Sequence, residues 1–189
     1  MAGAVQRANL RLEQIVAAIA AARAPEQVAT RIVAIDGLGG AGKSSLATAL
    51  APHLGASVVR TDDFASWDNV LDWWPALIEH VLAPLARGRP ARYTPTSWDG
   101  AVTEEVVVQA SGLVLLEGVS ASREAFRPYL AYSIWVETPR DLRLRRGLER
   151  DGEAARADWE RWMAEEDAYV ERERPAARAD LVLPGNEAF

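Results

Sequence analysis

Eight consecutive residues, Gly37-Leu38-Gly39-Gly40-Ala41-Gly42-Lys43-Ser44, complete the pattern G-x-x-x-x-G-K-[ST], and no other feature restricts the fold of this chain as tightly. Such a stretch can cradle phosphate only where a buried strand delivers it and a helix leaves it. Backbone N–H groups and a helix N-terminus must converge on the same oxygens. Both flanks are present. Arg31-Ile32-Val33-Ala34-Ile35-Asp36 is a short apolar, β-branched run that reads as a buried parallel strand. Ser44 to Ala51 has the apolar spacing of a helix, and Gly55 stands where it can end one. Lys43 is the sole lysine among 21 basic residues, the rest being arginine. A compact ammonium on a flexible stem follows a phosphate into a tight glycine turn better than a planar guanidinium does. Gly37 through Ser45 are therefore the expected nucleotide contacts, with Lys43 on the β- and γ-phosphates. Ser44 is expected on Mg²⁺, a duty that Ser45 could share.

The remaining pattern alternates strands with helices, which argues for a three-layer α/β domain with a parallel sheet. Strands are expected at Ser57–Arg60, Leu113–Leu116, Tyr132–Val136 and Leu181–Leu183. Helices are expected at residues 5–23, from Val70 to Arg87, from Pro139 to Arg150, and onward to Arg174. Thr138-Pro139-Arg140-Asp141 reads as an N-cap, a proline at the first helical position and an acid at the third. Residues 88–104, broken by Pro90, Pro95 and Gly100, read as an irregular loop. With no repeat or linker, the 189 residues form one domain, with an added N-terminal helix in residues 1–25. Leu12, Ile15, Val16 and Ile19 follow helical spacing, so this segment reads as an amphipathic helix rather than a signal sequence.

Composition removes whole classes of function. There is no cysteine, hence no disulfide, thiol catalysis or cysteine zinc site, and the chain is expected in the cytoplasm. His53 and His80 are too few and too far apart for a histidine metal site. Net charge is −6 and the arginines of the C-terminal third are mixed with Asp and Glu, so no nucleic-acid partner is expected. No apolar run is long enough to span a bilayer, so no membrane partner is expected either.

In a parallel sheet, ligands bind beyond the carboxyl ends of the strands, which is where Gly37, Asp62, Glu117 and Glu137 fall. Asp62 and Asp63 are both candidates to orient an attacking hydroxyl, with turn-capping as the competing role. Glu117, ending the strand beside the loop, is a candidate for Mg²⁺ through water. Arg143, Arg146 and Arg150 share a helix face, either reaching a γ-phosphate or forming a surface ion-pair row with Asp141 and Glu149. Trp67, Trp73, Trp74 and Trp98 could offer a stacking platform or simply pack a core, Trp98 beside Tyr93 being the best placed for stacking.

Taken in order, these elements resemble the uridine kinase branch of the P-loop kinases over nearly the whole chain. Ile35-Asp36-Gly37 through Ser45 match its loop, and Thr61-Asp62-Asp63-Phe64 its D-S-F-Y-like element. Leu116-Glu117-Gly118-Val119 matches its E-G-I/V turn, and Arg143 through Asp151 its R-L-x-R-R-x-x-R-D helix. Tyr169, Pro175, Ala179-Asp180 and Leu183-Pro184-Gly185 match its closing segment. The resemblance implies a P-loop kinase fold with a small helical lid at about residues 150–165, ATP and Mg²⁺ as cofactors, and transfer of the γ-phosphate to a small-molecule alcohol, a nucleoside in that family. It also implies Asp62 as the base, with Arg146 and Arg150 stabilising transferred charge. Ser44, Asp62 and Glu117 would serve the metal, and Asp63, Phe64, Trp67, Tyr93 and Trp98 the acceptor. In two places the chain departs from the family. Arg92 to Asp99 lacks the histidine that recognises the pyrimidine, and Gly152-Glu153-Ala154-Ala155-Arg156 replaces the E-R-G-R-like lid run.

Overall fold

The computed structural model describes residues 2–66, 69–97 and 101–186, with residues 2–10 described by backbone alone. Its centre is a five-stranded sheet in the order β2-β5-β1-β6-β7. The strands are β1 (Arg31–Asp36), β2 (Ser57–Arg60), β5 (Leu113–Glu117), β6 (Leu130–Glu137) and β7 (Leu181–Pro184). Every neighbouring pair runs parallel. The central strands are apolar throughout because both of their faces are covered. Ile32, Ala34, Val114 and Leu116 point to one core with Leu77, Val81, Leu85 and Phe126. Val33, Ile35, Leu113 and Leu115 alternate with them and meet Ile15, Ile19, Leu46 and Leu50 on the opposite face.

That second face is closed by α1 (Ala2–Ala21) and α2 (Lys43–Leu54). Ile15 and Ile19 of α1 are buried, as the helical spacing of the segment predicts. On the first face lies one continuous helical rod from Trp74 to Ala86: α3 (Trp74–Leu77), a wide π turn (Ile78–Leu82) and α4 (Ala83–Ala86). It starts four residues later than the expected Val70. Its π turn has a local cause: Pro84 lacks an N–H and its ring would crowd the carbonyl one turn back. The Ala83 N–H accordingly reaches Ile78 O rather than the usual partner.

Two further expectations are corrected. Residues 91–93 are not loop; β3 (Ala91–Tyr93) pairs antiparallel with β4 (Val106–Val108), burying Ala91, Tyr93 and Val108 against the first core. Thr138 is not an N-cap. The helix α5 (Arg140–Asp151) begins after Pro139 with no side-chain cap, and the Thr138 hydroxyl donates instead to Ala41 O at 2.9 Å. The chain then passes a 3-10 turn (Glu153–Ala155), α6 (Arg156–Glu173) and α7 (Pro175–Arg178) before reaching β7.

Asp36 at the end of β1 ties three segments together. Its carboxylate accepts from Gly37 N–H (2.7 Å), Ser122 N–H (2.9 Å), Ser122 Oγ–H (2.7 Å) and Tyr169 O–H (2.7 Å). Burial raises its pKa above the ordinary 3.8 despite these donors. The folded chain therefore binds a proton at Asp36 more readily than the unfolded chain. This group's contribution to stability falls as pH rises from 3.8 through the raised folded value. Asp36→Asn should abolish that slope and, by placing an amide donor among these donors, cost about 2 kcal/mol near neutral pH. Denaturant unfolding of both proteins across the acidic to neutral range measures the two effects.

Candidate functional site

A glycine loop holds an anion only if its amides face forward and its carbonyls do not. Here three of the loop's carbonyls are taken up by side-chain donors. Leu38 O accepts from Lys43 Nζ (3.0 Å), Gly40 O from Arg146 (3.2 Å) and Ala41 O from Thr138. The same Arg146 nitrogen donates to Gly185 O at 3.0 Å, fastening the segment after β7 to the loop. Gly40 has φ +76°, and a Cβ there would stand 2.6 Å from Arg143 O, so the loop can approach α5 this closely only without a side chain. Gly42, also left-handed at φ 102°, turns the chain into α2, whose start carries no side-chain cap. The N–H groups at the beginning of α2 are thus left to an external acceptor such as phosphate.

Beside the loop lies a cavity of about 510 Å³. Lys43, Ser44, Ser45, Asp62 and Glu117 line one side. Ser44 Oγ donates to Glu117 Oε1 at 3.0 Å. Glu117 is buried, which raises its pKa, while Lys43 and Ser44 pull the other way. Register explains the meeting: Glu117 pairs with Arg60 of β2 and with Ile35 of β1, so the ends of the three strands open on one place. The hydroxyl and two carboxylates of Ser44, Asp62 and Glu117 form an all-oxygen set that suits Mg²⁺, a cation that completes its shell with water and substrate phosphates.

The adjacent aspartates are sorted by the 3-10 turn Thr61–Asp63. Asp62 lines the cavity, whereas Asp63 accepts from Tyr93 O–H at 2.8 Å. Burial raises the pKa of both Asp63 and Tyr93. Phe64 packs on Tyr93 with ring centroids 4.8 Å apart, so Asp63, Phe64 and Tyr93 form one group. Trp67 and Trp98 lie outside the described residues. Trp73 is buried in the first core, touching Phe64 and Phe126, and is no open platform.

The arginine row divides in the same way. Arg146 and Arg150 line the cavity, Arg150 making two hydrogen bonds to Asp151 and lying over the Trp159 ring at 5.5 Å. Arg143 turns inward and is 3% exposed, paired at 3.0 Å with fully buried Glu166. Glu166 also accepts from Gly39 N–H at 2.6 Å and Trp162 Nε1–H at 3.0 Å.

The sequence alone did not single out Trp159, Trp162, Glu166 or Asp36. Trp159, Trp162 and Glu166 are spaced i, i+3, i+7 on α6, the face that meets the loop, and that spacing was the available signal. Trp159 reaches the loop because Gly147 of α5 is bare: a Cβ there would stand 2.4 Å from the indole.

No protein-family model matches the chain, and no curated protein matches it. Solved structures do share its fold. A possible uridine kinase from Bacillus stearothermophilus is 21% identical, covers 93% of this chain and 98% of its own, and gives a TM-score of 0.71. A provisionally named fructose transport system kinase from Silicibacter sp. TM1040 is 21% identical, with 92% and 98% covered and a TM-score of 0.67. A sugar kinase from Janibacter sp. HTCC2649 is 17% identical, with 84% and 87% covered and a TM-score of 0.52. The chain has the P-loop kinase fold, with the parallel sheet and added N-terminal helix expected from its sequence.

Gly147→Ala tests the docking of Trp159. Alanine in a helix ordinarily gains up to about 1 kcal/mol over glycine. Here the clash should reverse the sign and cost roughly 1–3 kcal/mol, read as a lower thermal midpoint; a stabilised variant would mean that α6 does not pack on α5 in this way.

Proposed function

We propose that this chain is an ATP- and Mg²⁺-dependent phosphotransferase that phosphorylates a hydroxyl of a small molecule. The observation that carries the reading is the meeting, in one cavity, of the phosphate loop with Lys43, the Ser44–Glu117 pair, Asp62 and two arginines. Bound Mg-ATP would supply the transferable phosphoryl group and neutralise charge across its β- and γ-phosphates. Lys43 holds the β- and γ-phosphates, with the amides at the start of α2 beneath them. Ser44, Asp62 and Glu117 are the groups that would hold the metal. Asp62 accepts the proton of the acceptor hydroxyl and aims its oxygen, while Arg146 and Arg150 offset charge as it shifts. The segment from about residue 150 to 165, which runs from the end of α5 through the turn after Gly152 into α6, serves as the lid.

Acceptor chemistry follows from the charges that line the cavity. Among the described lining residues, the cations are Lys43, Arg146 and Arg150, all suited to phosphate, and Asp62, Asp151 and Asp158 add negative charge. An acceptor without negative charge fits best, and a nucleoside is the first choice, from the resemblance to uridine kinases. A sugar or other polyol is the second, favoured by two observations. The segment before β4 lacks the pyrimidine-reading histidine, and of the proteins sharing the fold one is named a sugar kinase and another a fructose transport system kinase.

Lys43→Ala should abolish the thermal stabilisation that ATP gives; an unchanged shift would mean that the loop does not bind phosphate. Asp62→Asn should leave nucleotide affinity nearly intact while turnover falls by about two decades or more. A comparable loss from Asp63→Asn, with Asp62→Asn active, would move the base by one residue. Mass spectrometry of products from Mg-ATP with mixed nucleosides, sugars and other alcohols identifies the acceptor class. Absence of any phosphorylated product, with ATP bound, would favour a catalytically silent ATP-binding module.

A further inference from the structure

Gly39 is held from both sides by groups remote in sequence. Its N–H donates to Glu166 Oε1 at 2.6 Å, and its carbonyl faces Arg143 at 3.5 Å. Arg143 and Glu166 are themselves paired at 3.0 Å, with side chains 4% and 0% exposed. Trp162 donates to the same carboxylate oxygen that Gly39 uses, and the Trp159 ring would come within 3.1 Å of a Cβ on Gly39. Three residues further along α6, Tyr169 donates to Asp36 at the other end of the loop's approach. The helix α6 therefore grips the phosphate loop at two points, one of them through a buried ion pair.

Removing an acid and a guanidinium from water is costly, and a pair of apolar side chains would pack the same space at no such cost. The pair does something packing cannot: it fixes the orientation of two peptide groups in a loop that has glycines at positions 37, 39, 40 and 42 and little intrinsic preference of its own. Gly39 borders the cavity against the Trp159 ring, over which Arg150 lies, four residues before Lys43 opens α2, where the inner phosphates sit under the proposed function. We propose that Glu166 is a positioning residue for the terminal phosphate, acting through Gly39 and Arg143. By turning the Gly39 N–H toward α6 it sets the peptide that borders that phosphate, and it has no part in holding the inner two. This inference rests on the phosphotransfer reading above.

The test compares Mg-ADP with a non-hydrolysable Mg-ATP analogue on the full chain, by calorimetry. Glu166→Gln keeps the shape and an oxygen for Gly39 and Trp162 but removes the charge that Arg143 needs. The expected result is a Kd for the ATP analogue at least about tenfold weaker, with the ADP Kd within about threefold of the parent, the energy of one charged hydrogen bond at the outer phosphate. Glu166→Asp, which restores the charge on a shorter stem, should recover part of the analogue affinity. It also supplies the comparison if the glutamine variant does not fold. Equal weakening of both nucleotides, or a lowered thermal midpoint with both Kd values unchanged, would overturn the proposal and leave the phosphotransfer reading standing. Failure of the parent chain to bind either nucleotide would remove both.

Discussion

The orientation of the loop carbonyls is the constraint on which this structure turns. Glycine-rich backbone offers an anion as many carbonyl dipoles as amide dipoles, and the two differ in sign. Leu38, Gly40 and Ala41 have their carbonyls bound by Lys43, Arg146 and Thr138, drawn from α2, α5 and the turn before α5. Arg146 then reaches Gly185 beyond β7, so the last strand of the sheet is tied to the first loop. The sheet order places β1 between β5 and β6; β6 ends beside the donor Thr138, and β5 ends at Glu117, which accepts from Ser44.

Buried charge follows the same logic. Asp36, Glu117 and Glu166 are each nearly or fully enclosed, and burial raises the pKa of each. Each is also met by donors rather than left alone, which is the condition under which a buried acid persists. They stand at the end of β1, at the end of β5 and on α6. Asp36 and Glu166 each accept a loop N–H, from Gly37 and Gly39, and so fix those peptides, while Glu117 fixes the Ser44 hydroxyl.

Much of the fold was legible because its signals are local. The run Arg31–Asp36 is apolar on both faces and forms a central strand with those bounds, and Gly55 ends α2 in the left-handed conformation that glycine tolerates. The hairpin of β3 and β4 was not legible: three residues per strand give too little alternation, and a pairing across twelve intervening residues leaves no turn signature. Thr138 looked like a cap because the local spacing T-P-x-D favours one, yet its hydroxyl found Ala41, 97 positions earlier in the chain. Arg143 looked like its neighbours on an exposed face, and what separates it is Glu166, which no local pattern connects to it. Of the cavity side chains that were legible, Lys43, Ser44, Ser45, Asp62 and Glu117 sit at strand ends or where the loop enters α2, where position itself implies a role, whereas Arg146 and Arg150 were legible from their shared face on α5.

The use of a single lysine in an otherwise arginine-only chain now has a spatial argument. Lys43 is 7% exposed, and its Nζ lies 3.0 Å from Leu38 O. Its charge favours the ionised forms of two buried acids, Glu117 and Glu166. A guanidinium there would be planar and fork-shaped, and would pair bidentately with one of those carboxylates. That pairing would withdraw it from the cavity, as Arg143 is withdrawn by Glu166 and as Arg150 is engaged by Asp151. An ammonium has no preferred plane and leaves the carboxylates to their own partners. Arginine serves where a fork of donors is used, as at Arg146 and Arg150; where the glycine loop turns into α2, the chain carries lysine.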